Sequence, residues 1–482
     1  MSIDKELKVI LDEVARKETP DKAKREKVLK IAEKLRHKVE VEALNRGVKV
    51  KVSLEGSVAK DTWLRDEVDI DIFMLIPKTV ERKVLETVYM NVARSSLKEY
   101  GWIERYAEHP YVEAIVEDGI KVNIVPCYEV KPLSWKSATD RTPYHTQYIK
   151  RKLKENQKTE VRILKRFMKG VEVYGADIKT GGFSGYLTEL LILYYGSFLE
   201  TLKAASKWKI GEIIDVKGYY KNNLEEAKKL FDETHLILID PVDKHRNVAA
   251  AVRLEKFNVF RSASKFFLEK PSLNFFYPPQ TIPLKPEKMD KILDEYPSDL
   301  MFLSFKDVKA VPDVLWGQMY KTQKAIKNFL GKFDFKVLRS ECWSDEVKHN
   351  LIIFELENLN LKNIKKHFGP PISSPEEKKF IQKYIQNPQT ISGPYIKNGR
   401  WVVLVKRKHV NAKILLEKKL KSEDFGRTIG VGSKISEALK KEFKIYVGKE
   451  IMGFYRQNSS FAVFLTKFLR GKPSWLEQFN SN

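Results

Sequence analysis

The sequence predicts an α+β protein of several domains, and three observations carry that prediction. At 482 residues the chain is too long for one hydrophobic core, so about two to four domains are expected. Segments of helical period alternate with segments of strand period through the first 130 or so positions. From about residue 300 the order of elements reads βαββαβ, which is the ferredoxin-like arrangement.

Residues 4–46 read as helix, because Val28, Ile31, Ala32, Leu35, Val39 and Ala43 recur at helical spacing until Gly47 ends the pattern. Strands follow at about 49–55, 68–76, 111–116 and 120–126, with a helix near 80–99 between them. From Glu160 the pattern turns helical; the run 187–202 is strongly apolar and reads as a buried helix. The remainder, from about Phe257, opens with a helix, and a Pro- and aromatic-rich connector runs from Pro271 to Pro286. Next come strand 300–305, helix 312–330, strands 335–343 and 351–356, helix 375–384 and strand 401–407. Residues 413–443 are lysine-rich and mostly helical, interrupted at Gly426, Gly430 and Gly432. The expected division is 1–150, 151–257 and 258–482.

The most informative stretch is Gly56-Ser57 followed by Asp69-Ile70-Asp71. Val68, Ile70 and Ile72 alternate with the two acids, so both carboxylates leave one face of a strand while the apolar residues enter a core. Two acids side by side repel unless a cation joins them, and a hard divalent ion such as Mg²⁺ takes carboxylate oxygens together with substrate phosphates. Leu54-Glu55-Gly56-Ser57 reads as a strand end running into a tight turn whose N–H groups and hydroxyl suit a phosphate. A phosphate cradle beside a metal-binding pair points to nucleotidyl or phosphoryl transfer. A third acid is expected from a neighbouring strand. In 119–128 the position on the matching face is Asn123, an amide.

Lys+Arg of 88 against Asp+Glu of 64 gives a net charge of +24, spread over the whole length, which implies a polyanionic partner and favours nucleic acid over a membrane surface. No apolar run approaches the roughly 20 residues of a membrane span, and residues 1–13 do not read as a signal peptide, so a cytoplasmic protein is expected. Two distant cysteines, Cys127 and Cys342, indicate neither a zinc site nor a disulfide framework.

The chain resembles the archaeal (class I) CCA-adding enzymes, tRNA nucleotidyltransferases of the polymerase β superfamily. The resemblance rests on Gly56-Ser57, Thr62-Trp63-Leu64, Asp69-Ile70-Asp71, Tyr106-Ala107-Glu108-His109-Pro110-Tyr111-Val112 and Val125-Pro126-Cys127-Tyr128. It continues through Asp140-Arg141-Thr142-Pro143, Gly182-Phe183-Ser184-Gly185-Tyr186-Leu187, Asp240-Pro241-Val242-Asp243 and Arg246-Asn247-Val248-Ala249-Ala250. It implies a polymerase-β-like nucleotidyltransferase head, a helical neck, a ferredoxin-like body and a tRNA-binding tail. It also implies rebuilding of the CCA end of tRNA from CTP and ATP without a template, with Mg²⁺ as cofactor, and it leaves room for a homodimer. Asp69 and Asp71 match the metal ligands, and Asn123 stands where the family has a third carboxylate. Gly56, Ser57, Lys60, His145, Lys165 and Tyr174 match the residues holding triphosphate and sugar, and Arg246 matches the arginine that reads the base.

Lys60 replaces the usual arginine of the family, so charge is kept and the bidentate fork is lost. The residues alone leave alternatives open: Arg246 could pair with Asp240 or Asp243, His145 and Tyr174 could be core groups, and Lys165 could belong to a solvated basic face with Arg162, Arg166 and Lys169. The neutral amide at 123 predicts much reduced chemistry with nucleotide and tRNA binding largely kept. The intact motif around it favours a substitution that stalls the reaction over a natural relative leaning on another acid, Glu113 or Asp118. A poly(A)-polymerase-like enzyme and a catalytically silent tRNA-binding relative are the competing functions.

Overall fold

The structure is a computed structural model that describes residues 3–106 and 109–480. Ala107 and Glu108 of the motif quoted above therefore lie outside the described residues. The chain folds as two compact units, one running to Gln280 and including the residues from Lys472 on, the other Thr281–Gly471.

In the first unit, the segment expected as one long helix is two, Ile3–Glu18 and Lys22–Asn45. Pro20 interrupts the pattern, and the Asp21 carboxylate caps the second helix by accepting from Lys24 N–H at 2.8 Å. Strands β1 (Lys51–Glu55), β2 (Asp69–Pro77), β3 (Trp102–Tyr106), β4 (Pro110–Ile115) and β5 (Lys121–Glu129) form one sheet in the order β1-β2-β5-β4-β3. β2 and β5 run parallel and the other pairs antiparallel. Ile70, Ile72, Met74, Val122 and Ile124 bury on one face with Val28, Ile31, Leu35 and Val39 of the helix Lys22–Asn45. The opposite face begins with Asp69 and Asp71 and turns apolar at Phe73, which joins Val125 and Cys127 in a small separate core.

A second core lies in the same unit. The helices Glu155–Gly170, Gly185–Tyr195, Phe198–Ala205 and Leu254–Glu269 bury Phe167, Phe183, Phe198, Phe260 and Phe267 together with Phe275 and Phe276. Ile10 and Val14 of the first helix join this core, so the expected single helix serves two cores through its two halves. The apolar run at 187–202 breaks at Gly196, whose φ of +95° suits glycine alone, and Ser197 caps the next helix. The region expected to be helical also holds a three-stranded sheet, β6 (Glu212–Asp215), β7 (Leu236–Asp240) and β8 (Asp243–Asn247). Position 257/258, the expected boundary, falls inside the helix Leu254–Glu269, whose Phe257 and Phe260 both bury in this core.

The second unit carries the ferredoxin-like sheet, with different elements completing it. β9 (Asp299–Lys306), the helix Pro312–Lys332, β10 (Val337–Ser344) and β11 (His349–Leu356) agree with the sequence pattern. The strands β12 (Lys365–Pro371), β13 (Thr390–Lys397) and β14 (Arg400–Val405) instead form their own sheet, covered by the helix Glu377–Ile385. The closing strand is β15 (Phe443–Val447), reached through the helices Ala412–Leu420 and Ser433–Lys441, and it gives the antiparallel order β10-β11-β9-β15. The expected 375–384 helix and 401–407 strand are thus an insertion in the βαββαβ module.

Candidate active site

Parallel pairing of β2 with β5 sets Asp69 opposite Lys121 and Asp71 opposite Asn123. Antiparallel pairing of β1 sets Glu55 opposite Asp71, and β4 sets Glu113 opposite Asn123. Paired residues leave a sheet on the same face, so one row across the head sheet reads Glu55, Asp71, Asn123, Glu113. Asn123 Nδ2 donates to Asp71 Oδ1 at 3.0 Å, while Asn123 Oδ1 is buried and accepts no hydrogen bond. Loss of solvation pushes the half-buried Asp71 carboxyl up to about 6, with the charge of Asp69 adding, against the opposing hydrogen bond from Asn123.

Gly56 follows β1 and opens the helix Gly56–Lys60 with φ +72°. A Cβ there would stand 2.0 Å from Asp71 Oδ2, so only glycine lets the turn lie directly on the aspartate. At the other end of this short helix Lys60 is buried, and its Nζ donates to Glu189 Oε2 at 2.6 Å. Thr62 Oγ1 donates to Glu189 Oε1 at 2.5 Å, and Lys165 Nζ donates to Thr62 O at 2.9 Å and lies 4.0 Å from Glu189 Oε1.

Lys165 is therefore no part of a solvated face. It is 3% exposed, and burial pushes its ammonium down to about 8 against the pull of Glu189. Arg162 on the same helix is also buried, held by Asp61 Oδ1 at 2.6 Å and Trp63 O at 3.0 Å. Tyr174 is packed close by: a Cβ on Gly185 would approach its Oη to 2.9 Å and Lys165 Nζ to 3.8 Å. Burial pushes the Tyr174 phenol up.

His145 and Arg246 meet at one acid. Asp240 Oδ2 accepts from Arg246 Nη1 at 2.8 Å and lies 2.9 Å from His145 Nε2, and Oδ1 accepts from Tyr186 Oη at 3.2 Å and Val242 N at 3.0 Å. The His145 ring stacks on Tyr186 with centroids 4.0 Å apart. Burial alone would raise the Asp240 carboxyl, but His145, Arg246 and the Val242 N–H hold it below its usual value. Burial likewise lowers His145 in spite of Asp240. Of the two pairings left open for Arg246, Asp240 is the one formed; Asp243 binds Arg141 at 2.9 Å.

All the candidate site residues fall in the first unit, in two groups bridged by the helix Gly56–Lys60: the Asp69, Asp71, Asn123 face, and the Lys60, Lys165, Tyr174, His145, Arg246 cluster. Sequence reasoning missed Glu189, the one charged residue of the helix Gly185–Tyr195. A lone acid in an apolar helix is itself a signal, since a buried charge needs a partner. Lys121 was missed as well; its Nζ lies 2.8 Å from Glu113 Oε2.

Of the two acids weighed as substitutes for the third carboxylate, Glu113 shares the face of Asn123 but is taken by Lys121 and, at 3.1 Å, by Arg105. Asp118 sits in a turn at φ +58° and pairs with Lys27 at 2.5 Å. Among the described residues no group of three or more His, Cys, Asp and Glu is placed to hold a metal ion. The Asp69 and Asp71 pair still suits a divalent cation: two carboxylates share a face, the inner one is raised by burial, and an amide oxygen without a donor lies beside them.

A mixed sheet presenting paired aspartates beside a glycine turn and buried lysines defines a nucleotidyltransferase. Family models agree over three stretches: "nucleotidyltransferase domain" at 28–145, "tRNA nucleotidyltransferase, second domain" at 159–277, and "CCA-adding enzyme, C-terminal domain" at 298–448. The CCA-adding enzyme of Methanosarcina mazei is 37% identical over 472 residues, covering 97% of this chain and 99% of the relative. That of Methanosarcina barkeri is 39% identical over 90% of this chain and 96% of the relative. The one from Pyrobaculum islandicum is 34% identical over 87% and 95%. The chain belongs to the CCA-adding enzyme family and is a tRNA nucleotidyltransferase. The nucleotidyltransferase family works with divalent metal ions. No helix among the described residues is long and apolar enough to cross a membrane.

Proposed function

We propose that this chain adds C, C and A to the 3′ end of tRNA from CTP and ATP, without a template, and that it does so in the cytoplasm with Mg²⁺. The observation that carries the residue assignments is the helix Gly56–Lys60. Its first residue lies against Asp71, and its last places Lys60 beside Lys165. One short element thus fixes a carboxylate pair and a cationic grip at neighbouring positions, as transfer from a triphosphate requires.

In this reading Asp69 and Asp71 hold the divalent ion, with the Asn123 amide oxygen as a neutral third donor. The ion supplies charge neutralisation and makes the primer hydroxyl more acidic. Gly56, Ser57, Lys60, His145, Lys165 and Tyr174 hold the triphosphate and sugar. His145 and Asp240 orient Arg246, whose remaining N–H groups face the base. Stacking on Tyr186 and the hydrogen bond to Asp240 fix the His145 ring, so this end is built before the nucleotide arrives.

The test supplies tRNA ending at the discriminator base. With CTP alone the expected product gains two C residues and stops; addition of ATP completes one A. ATP-only tailing of unrelated RNA would overturn the proposal in favour of a poly(A)-polymerase-like enzyme. Asn123 favours a second reading, a slow or silent relative, because its amide gives Asp71 a hydrogen bond and brings no charge. That reading predicts salt-sensitive tRNA binding with no incorporation.

A further inference from the structure

Glu189 is 0% exposed in an otherwise uncharged helix, yet both its oxygens are used: Lys60 Nζ on one at 2.6 Å, and on the other Thr62 Oγ1 at 2.5 Å with Lys165 Nζ at 4.0 Å. Tyr186 stands three residues earlier on the same side of that helix and makes the contacts with His145 and Asp240. Lys60 Nζ lies 6.0 Å over the Tyr186 ring, so the two sets of contacts adjoin. One helix face therefore ties the lysine pair at 189 to the Arg246 cluster at 186.

We propose that Glu189 is a positioning residue of the nucleotide site. It sets the ammonium groups of Lys60 and Lys165 at a fixed distance from the Asp240–Arg246 end, and so gauges the span from phosphate to base. The proposal rests on the reading that Lys60 and Lys165 hold the triphosphate.

Lysine stems are flexible, and two buried ammonium groups repel. A single carboxylate between them removes both problems while leaving net positive charge for the phosphates. A buried carboxylate kept only for stability would be poorly placed here, since apolar residues of similar volume usually serve a core at least as well.

Glu189→Gln keeps an acceptor for Thr62 and removes the charge. The expected result is a rise in KM for CTP and for ATP together, about tenfold, the scale of losing one charge-assisted hydrogen bond. The values of kcat and of KM for tRNA should stay within about twofold. The pH dependence of KM should move as well. The groups facing Lys165 are Glu189, Lys60, Arg162, Lys169 and the Tyr174 phenol. With only Glu189 supporting its charge, Lys165 would lose its proton at lower pH in the variant, and the KM rise would begin on the acid side of that in the chain with Glu189. Glu189→Asp keeps the charge but cannot reach both lysines at once, so it should raise KM without moving the pH curve.

An unchanged or lowered KM in both variants, with only a lower thermal midpoint, would overturn the proposal, because loss of a negative charge near a triphosphate should help binding if position does not matter. Lys165→Met separates the two layers. If that variant leaves KM for CTP and ATP unchanged, the triphosphate reading fails whatever Glu189 does; if it raises KM while both Glu189 variants do not, only the positioning role fails.

Discussion

Two acid clusters in the first unit are satisfied in opposite ways and differ in depth: Glu189 and Asp240 are fully buried, whereas Asp71 is half-buried and Asp69 exposed. At Glu189 and Asp240 each carboxylate oxygen meets a donor; the counter-charge comes from Lys60, Lys165 and Arg246, and His145 adds a hydrogen-bond contact. On the β2 and β5 face, the buried oxygens Asn123 Oδ1 and Glu55 Oε2 have no hydrogen-bond partner, and the Asp71 carboxyl is raised to about 6. The first cluster is complete within the chain. The second is under-compensated by the protein's own cations, the condition in which a carboxylate pair recruits an external one. Removing a member of the second cluster should therefore remove chemistry at little cost in stability, and removing a member of the first should change affinity and stability together.

The largest effect is expected at Asp71. Asp71→Ala should lower nucleotidyl transfer by about a thousandfold or more, the scale of losing a group that stabilises transition-state charge. The thermal midpoint should fall little, and tRNA binding by filter retention should persist. A large loss of stability would show that Asp71 belongs to the structural class instead. Gly56→Ala is expected to be next. The new Cβ would stand 2.0 Å from Asp71 Oδ2 at a φ of +72°, so the turn and the aspartate cannot both keep their places. A loss of roughly a hundredfold in kcat, with KM for nucleotides within about threefold, would match displacement of the Asp71 carboxylate alone.

Asn123→Asp tests the under-compensated face from the other side. It should raise incorporation of CMP and AMP about tenfold or more by adding charge where the proposed divalent ion would be held. It should also make the thermal midpoint more responsive to added Mg²⁺ than in the chain with Asn123, because three carboxylates on one face repel without it. If neither readout moves, Asn123 does not occupy a ligand position.

The β2 and β5 strands were legible because Asp69-Ile70-Asp71 and Val122-Asn123-Ile124 alternate with period two and their apolar residues have one core to enter. Register was not legible, so the pairing of Asn123 with Glu113 and of Asp69 with Lys121 had to await the sheet. Helical period marked the segment 160–169 correctly, but periodicity cannot tell a buried lysine from an exposed one. Lys165 is decided by a partner 24 residues away at Glu189 (189 − 165), in another helix. The ferredoxin-like order was recognised with the wrong closing strand because Trp401-Val402-Val403-Leu404-Val405 is a stronger apolar run than Phe443-Lys444-Ile445-Tyr446-Val447. Which run joins β9 is a tertiary choice that local pattern does not encode.

The smallest effect should come from Tyr186→Phe, and it probes the saturated cluster. The ring that stacks on His145 stays, and Asp240 Oδ1 keeps the Val242 N–H at 3.0 Å when the 3.2 Å bond from Tyr186 is removed. Losing one of several donors to a charged acceptor costs about 1 kcal/mol. In a unit of this size that corresponds to a fall of about 1–2 °C in thermal midpoint. KM for CTP and ATP should rise no more than about threefold, and UTP incorporation should stay low, because Arg246 keeps its bond to Asp240. A loss of activity rivalling that of Asp71→Ala, with stability unchanged, would place the Tyr186 hydroxyl in the chemistry and dissolve the distinction between the two clusters.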